Sequence, residues 1–155
     1  MQRTTLVQYL DSYLKIEEIE DTSNNGLQVE GTVEVRCVAF AVDACQVSID
    51  AAIAAGAQML IVHHGLFWNK PLPLVGPHRR RVKALLDADC SLYAAHLPLD
   101  VHPKVGNNVE LARLLGLTVA GDFGDVGVVA HAPAGLTLSA LVEQVEAVPV
   151  SYTHL

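Results

Sequence analysis

The chain has 155 residues, 51% of them apolar but only 5% aromatic, so it has enough material for one core built mostly from Ala, Val and Leu. Seventeen acidic residues against 10 basic ones give a formal net charge of −7, which opposes non-specific binding to nucleic acid or to an anionic membrane. No apolar run approaches the roughly 18 residues a membrane helix needs, and MQRTTLVQYLDSYL carries Asp11 without a small-residue cleavage site; a soluble cytoplasmic protein is expected.

Cys37, Cys45 and Cys90 show no C-x-x-C spacing, and their apolar surroundings suggest buried, reduced thiols. Along the chain, Thr5 to Leu14 places Leu6, Tyr9, Leu10, Tyr13 and Leu14 on one helical face. The stretch from Ile16 to Gly31 offers turn chemistry, with Asn25-Gly26 suited to left-handed backbone. Arg36 to Val42 has strand length, the alanine-rich segment after it is helical up to Gly56, and Gln58 to Val62 is a second apolar strand. HRRRVKALLDAD forms a helix, with Arg79, Arg80 and Arg81 on its solvated first turn. SLYAA is a third strand, and NVELARLLGL closes as a helix near Gly116.

A helix followed by three strand-helix units predicts an α/β fold, with a mostly parallel sheet covered by helices. Glycines and aspartates interrupt the periodicity at residues 120–127; beyond them come a strand-like VGVVAHAP and the helix LTLSALVEQVEAV. Residues 1–124 are therefore read as the main α/β domain and 125–155 as the start of a second α/β domain. One strand and one helix make no free-standing core, so the chain reads as C-terminally truncated. Its last residues, 151–155, resemble translated sequencing-adapter read-through.

Ligands of open parallel sheets bind beyond the carboxyl ends of the strands. Here the first strand runs into Asp43, the second into the adjacent pair His63 and His64, and the third into His96, with Asp100 in the loop after it. Imidazole and carboxylate thus gather at one sheet edge. Gly65 frees the backbone just after the pair, so the two rings can address points a few ångströms apart. Two divalent ions, roughly 3.5–4 Å apart in hydrolytic sites, suit that arrangement, and Asp100 could bridge them or bind one. Asp43 either caps the following helix or joins the site. Asn25 could contact a polar ligand and Trp68 could wall the cavity, with turn formation and core packing as their ordinary roles. His78, His102, His131 and His154 read as surface residues. Phosphate-loop, dinucleotide-binding and nucleophile-elbow motifs are missing from the sequence, and Cys37 within an apolar strand is a poor nucleophile.

DTSNNGLQVEG (21–31), MLIVHHGLFW (59–68), AAHLPLDVHPKVGNNVELARLLGL (94–117) and GDFGDVGVVA (121–130) resemble, in order and spacing, the YbgI-like dinuclear-metal hexameric proteins known as GTP cyclohydrolase 1 type 2 homologues. The resemblance runs to about residue 147. It implies an α/β domain with a second α/β domain inserted in it, assembled as a homohexameric ring with its metal pairs facing a cavity. It also implies His63, His64 and Asp100 as metal ligands, with His96 as a further ligand or a partner that orients one. The family's C-terminal His-x-x-x-Glu has no counterpart after residue 100, so weak metal binding and an inactive fragment are expected of the chain as it stands.

Two functions follow from the resemblance. One is a metal-dependent hydrolase acting on a small molecule through an activated water, in a GTP cyclohydrolase at the imidazole-ring carbon of guanine. The other is a non-catalytic, ring-shaped metal-binding or regulatory protein. The ligand set suits Fe, Zn or Mn.

Overall fold

The structure is a computed structural model that describes residues 1–147; the adapter-like residues 151–155, His154 among them, lie outside the described residues. The chain divides into two compact units, Met1–Leu99 and a second beginning at Asp100.

In the first unit, strands β1 (Gly26–Val29), β2 (Val38–Asp43), β3 (Met59–His64) and β4 (Ser91–Ala94) form one sheet in the order β1-β4-β3-β2. β2, β3 and β4 are parallel, as the strand-helix alternation predicts, and β1 is antiparallel on the β4 edge. Alternation of side chains explains the two-sided core. Leu60 and Val62 of β3 and Leu92 and Ala94 of β4 face Ile49 and Ala52 of helix α2 (Gln46–Ala54) and Val82 and Leu85 of helix α3 (Gly76–Asp87). Met59, Tyr93 and Ala95 face the other way, onto Leu6, Leu10 and Leu14 of helix α1 (Arg3–Leu14). Each large aliphatic residue buried here contributes about 1.5–3 kcal/mol.

Several expectations need correction. Residues 26–29, expected as turn, form β1: Gly26 takes a φ of 93°, the left-handed geometry expected of Asn25-Gly26, and the chain then extends at once along β4. The sheet is not covered throughout, because Phe40 (77% exposed) and Val42 stand uncovered on the edge strand β2. Nor are the cysteines uniformly buried. Only Cys90, on the inner side of the sheet, is; Cys45 is half-buried and Cys37, ahead of the edge strand, is exposed.

In the second unit, helix α5 (Asn107–Leu114) is followed by β5 (Thr118–Phe123) and β6 (Gly127–His131), an antiparallel hairpin, and by helix α6 (Leu138–Ala147). The sequence hides β5 because its glycine and aspartate break the apolar pattern, and the interruption at 120–127 contains the hairpin turn. Helix α5 ends as expected at Gly116, with φ 65°. His102 is buried, not on the surface: its Nδ1 accepts the backbone N–H groups of Lys104 and Val105, both at 3.2 Å, so it organises its own turn. Among the described residues no helix is long and apolar enough to cross a membrane.

Two loops meet at the carboxyl end of the first unit's sheet. The backbone of residues 22–24 pairs with that of residues 67–69, through Asn24 N–H to the Phe67 carbonyl (3.1 Å) and Asn69 N–H to the Thr22 carbonyl (2.8 Å). Gln28, on β1, locks them. Its Oε1 accepts Leu66 N–H at 2.7 Å, and its Nε2 donates to the carbonyls of Asn24 (2.7 Å) and Phe67 (3.2 Å). Gly65 does not take the positive φ that would use a glycine's backbone freedom; its use is space, since a Cβ there would come within 2.4 Å of the Gln28 amide and push that side chain out of the clamp.

Asp21 ties the same loop to the end of β4. Its carboxylate accepts the N–H groups of Ser23 and Leu97, both at 3.0 Å, the Asn25 side-chain amide at 2.9 Å and His96 Nδ1 at 3.0 Å. Burial pulls this carboxyl upward, but hydrogen bonds from Asn25, Ser23, His96 and Leu97 outweigh it and hold the pKa at about 2, against 3.8 for the ordinary group.

Two outcomes are expected. In Gly31→Ala the new Cβ would lie 2.3 Å from the Asp89 carbonyl oxygen and 2.6 Å from Ser91 N, backbone atoms that cannot turn aside. Stability measured by urea unfolding should fall by about 2 kcal/mol. Because the folded pKa of Asp21 is depressed, its contribution is complete above pH 3.8 and lost as pH falls from there through about 2. The shift corresponds to about 2 kcal/mol. Urea unfolding of wild type and Asp21→Asn at steps between pH 5 and pH 2 should show the two converging toward the acid end; a constant gap would contradict the assignment.

Candidate metal centre

Strand alternation should set His63 and His64 on opposite sides of β3, yet their ring centroids are only 4.5 Å apart, tilted by 48°. Their different neighbours explain this. β3 lies between β4 and β2, and each ring turns toward one of them. His63 Nδ1 lies 3.0 Å from the Ala95 carbonyl just past the end of β4. His64 Nδ1 lies 2.7 Å from Asp43 Oδ1 at the end of β2. His96 completes the group, with its centroid 4.9 Å from that of His63 and 5.5 Å from that of His64.

Each of the three rings therefore directs Nδ1 at an oxygen: a backbone carbonyl for His63, a carboxylate for His64, and the Asp21 carboxylate for His96. A carbonyl or a carboxylate can only accept, so Nδ1 carries the proton in all three, and Nε2 bears the lone pair of the neutral ring. Histidines that ligate metals are held in this way, with the second nitrogen donating to a carboxylate or carbonyl that fixes the tautomer and raises ligand basicity. One ligand atom from each of His63, His64 and His96 lies within 4.8 Å of the others, so these three half-buried residues could hold a metal ion. Two carboxylates backing the rings add negative charge beside any cation bound there.

The remaining candidates divide clearly. Asp43 does not cap α2: the N-cap is Cys45, which makes no side-chain capping bond, and the Asp43 carboxylate serves His64 instead. Trp68 stands against the cluster, its ring centroid 5.1 Å from that of His96 in an edge-on arrangement and 6.5 Å from that of His64, with Nε1–H donating to the Gly65 carbonyl at 3.3 Å. Asn25 does more than form a turn. Its Oδ1 accepts His96 N–H at 2.8 Å while its Nδ2 donates to Asp21. Asp100 ends the short helix α4 (Leu97–Asp100), opens the second unit, and accepts Asn107 Nδ2 at 2.6 Å. His78, on α3, packs half-buried against the edge of Phe67, and His131 is exposed.

Sequence reasoning misses Asp21, and it reads Gln28 as a turn residue or a polar-ligand contact where the structure makes it a clamp between two loops. Both lie in a stretch that reads as turn, far from any strand end in the parallel series. A residue pattern does point to Asp21, since an Asp two positions before Ser23 can take its N–H in a local turn, but nothing local announces His96 as the second partner.

Comparison with known proteins places the chain in a family. A family model, Duf34/NIF3 (NGG1p interacting factor 3), matches residues 1–154. A curated relative from Deinococcus radiodurans, named GTP cyclohydrolase 1 type 2 homolog, is 45% identical over 149 residues, covering 93% of this chain and 57% of the relative. The crystal structure of TTHA1606 from Thermus thermophilus superposes with a TM-score of 0.79 at 53% identity, over 83% of this chain and 53% of that one. The structural-genomics protein ybgI, of unknown function, superposes with a TM-score of 0.76 at 46% identity, over 79% of this chain and 50% of that one. The chain spans about half the length of the relatives it matches. It belongs to the Duf34/NIF3 (NGG1p interacting factor 3) family.

Proposed function

We propose that the chain carries the histidine part of a dinuclear divalent-metal site, and that the protein it represents is a metal-dependent hydrolase of the kind its relatives' name implies. The observation that carries this reading is the set of three imidazoles whose Nδ1 atoms are all committed to oxygen acceptors while their ligand atoms gather within 4.8 Å. A core histidine satisfied for structural reasons alone needs one such bond; three converging at one sheet edge suit cation binding. His63 and His64 would be ligands through Nε2. Asp100 would supply the carboxylate, and His96 would be a third ligand or orient the others. Asp43 would hold the His64 tautomer.

Divalent ions held there would supply Lewis acidity, making water a nucleophile near neutral pH and stabilising charge that develops on an oxygen. The chain's own residues would shape the surroundings. Trp68 would exclude water from one side, and Asn25 would keep His96 in place while lining the approach of a polar substrate. Iron, zinc and manganese all suit imidazole with carboxylate. In the proposed enzyme the substrate is a small molecule, with GTP the first candidate from the relatives' name, and the location is the cytoplasm. The resemblance also leads us to propose a homohexameric ring.

Elemental analysis of the full-length protein, purified beside a His63→Ala, His64→Ala double variant, is expected to find roughly two divalent ions per wild-type chain and most of them lost from the variant. Equal metal in both would refute the ligand assignment. GTP consumption by the same wild-type preparation should depend on added metal and disappear in the variant. Full metal occupancy without turnover on any of the three metals would favour the non-catalytic binding role. Light scattering on the same sample reads the ring directly, with a monomeric mass excluding it.

A further inference from the structure

The loop ahead of β1 holds His96 by both its backbone and its ring. Asn25 Oδ1 takes the His96 backbone N–H at 2.8 Å, and both oxygens of Asp21 lie 3.0 Å from His96 Nδ1. Asp21 and Asn25 are themselves joined at 2.9 Å, so the grip is a closed unit.

An Asp whose only task is to shape a turn needs just the N–H two residues ahead, here that of Ser23. The Asp21 carboxylate does far more, gathering the Leu97 N–H and the His96 ring from the end of β4 as well. Its side chain is 3% exposed and that of His96 is 20% exposed. Burying a carboxylate so completely is costly unless its lone pairs are filled, and donors from Ser23, Asn25, His96 and Leu97 fill them here. None of these donors is Lys or Arg. The arrangement thus places a fixed anion directly behind one imidazole of the cluster. The Asp43–His64 pair is looser, with both side chains 43% exposed and a single bond between them.

We propose that Asp21, braced by Asn25, is a positioning residue for the metal site: it fixes the His96 ring with Nε2 as its lone-pair nitrogen and holds that nitrogen beside those of His63 and His64. This rests on the metal-site reading given above. The 21–28 segment then has two tasks at one edge. Gln28 sets the loop that follows His64, and Asp21 sets His96, so a segment without a metal ligand of its own determines where two strands present theirs.

The test is a double-mutant cycle on the full-length protein, with Co(II) as the probe and its visible absorption as the readout. Wild type, Asp21→Asn, His96→Ala and the double variant are titrated with cobalt after metal removal, with circular dichroism checking each fold. Asp21→Asn is expected to weaken cobalt binding by ~10–100-fold and to change the ligand-field bands, the loss usual when an orienting partner of a ligand is removed. In the His96→Ala background the same change should have no further effect. Asn25→Ala, which removes the brace but keeps the carboxylate, should give a smaller loss in the same direction and serves as the test if Asp21→Asn does not fold. Undiminished cobalt affinity in Asp21→Asn, or in Asn25→Ala where it is the substitute, would overturn the proposal. So would an Asp21 effect that survives removal of His96. Failure of wild type to bind cobalt at all would instead bring down the metal site, and the positioning role with it.

Discussion

The site depends on one kind of contact: an imidazole Nδ1–H held by an oxygen that can only accept. It occurs three times, and each acceptor comes from a different part of the first unit: the end of β2 for Asp43, the end of β4 for the Ala95 carbonyl, and the loop ahead of β1 for Asp21. These contacts convert three ambivalent rings into three with a defined tautomer. They also resolve the steric problem of adjacent histidines. Neighbouring residues of a strand should diverge, but His63 leans toward β4 and His64 toward β2, and their rings remain 4.5 Å apart.

The parallel sheet makes this possible. Because β2, β3 and β4 run the same way, their carboxyl ends lie side by side, and polar residues that end different strands become neighbours. The apolar bodies of those strands, packed on α2 and α3 on one side and α1 on the other, hold the ends in register. Gly65 and Gln28 then fix the path by which the chain leaves the histidine pair. A side chain at residue 65 would displace the Gln28 amide and with it the hydrogen bonds that seat the loop.

Much of this is legible in the sequence. Short apolar runs alternating with helical ones point to the parallel order, and reading the residue after each strand finds His63, His64 and His96 together. The features that escape share a physical cause. β1 is four residues long and follows directly on turn chemistry, so no period could reveal it. The exposure of Phe40 on β2 depends on what packs beside an edge strand, which composition does not encode. Asp21 is a turn former by local pattern and a partner of His96 only through tertiary structure. Asp43 is ambiguous in the sequence because an Asp before a helix can cap it; the short bond to His64 decides its role.

The most direct measurement is anomalous diffraction from crystals of the full-length protein soaked with zinc or manganese. The account predicts ions bound through Nε2 of His63 and through Nε2 of His64, each about 2.1 Å from its nitrogen, with both Nδ1 atoms still bonded to the Ala95 carbonyl and to Asp43. An ion bound through Nδ1, or ions bound only at positions away from these imidazoles, would contradict it.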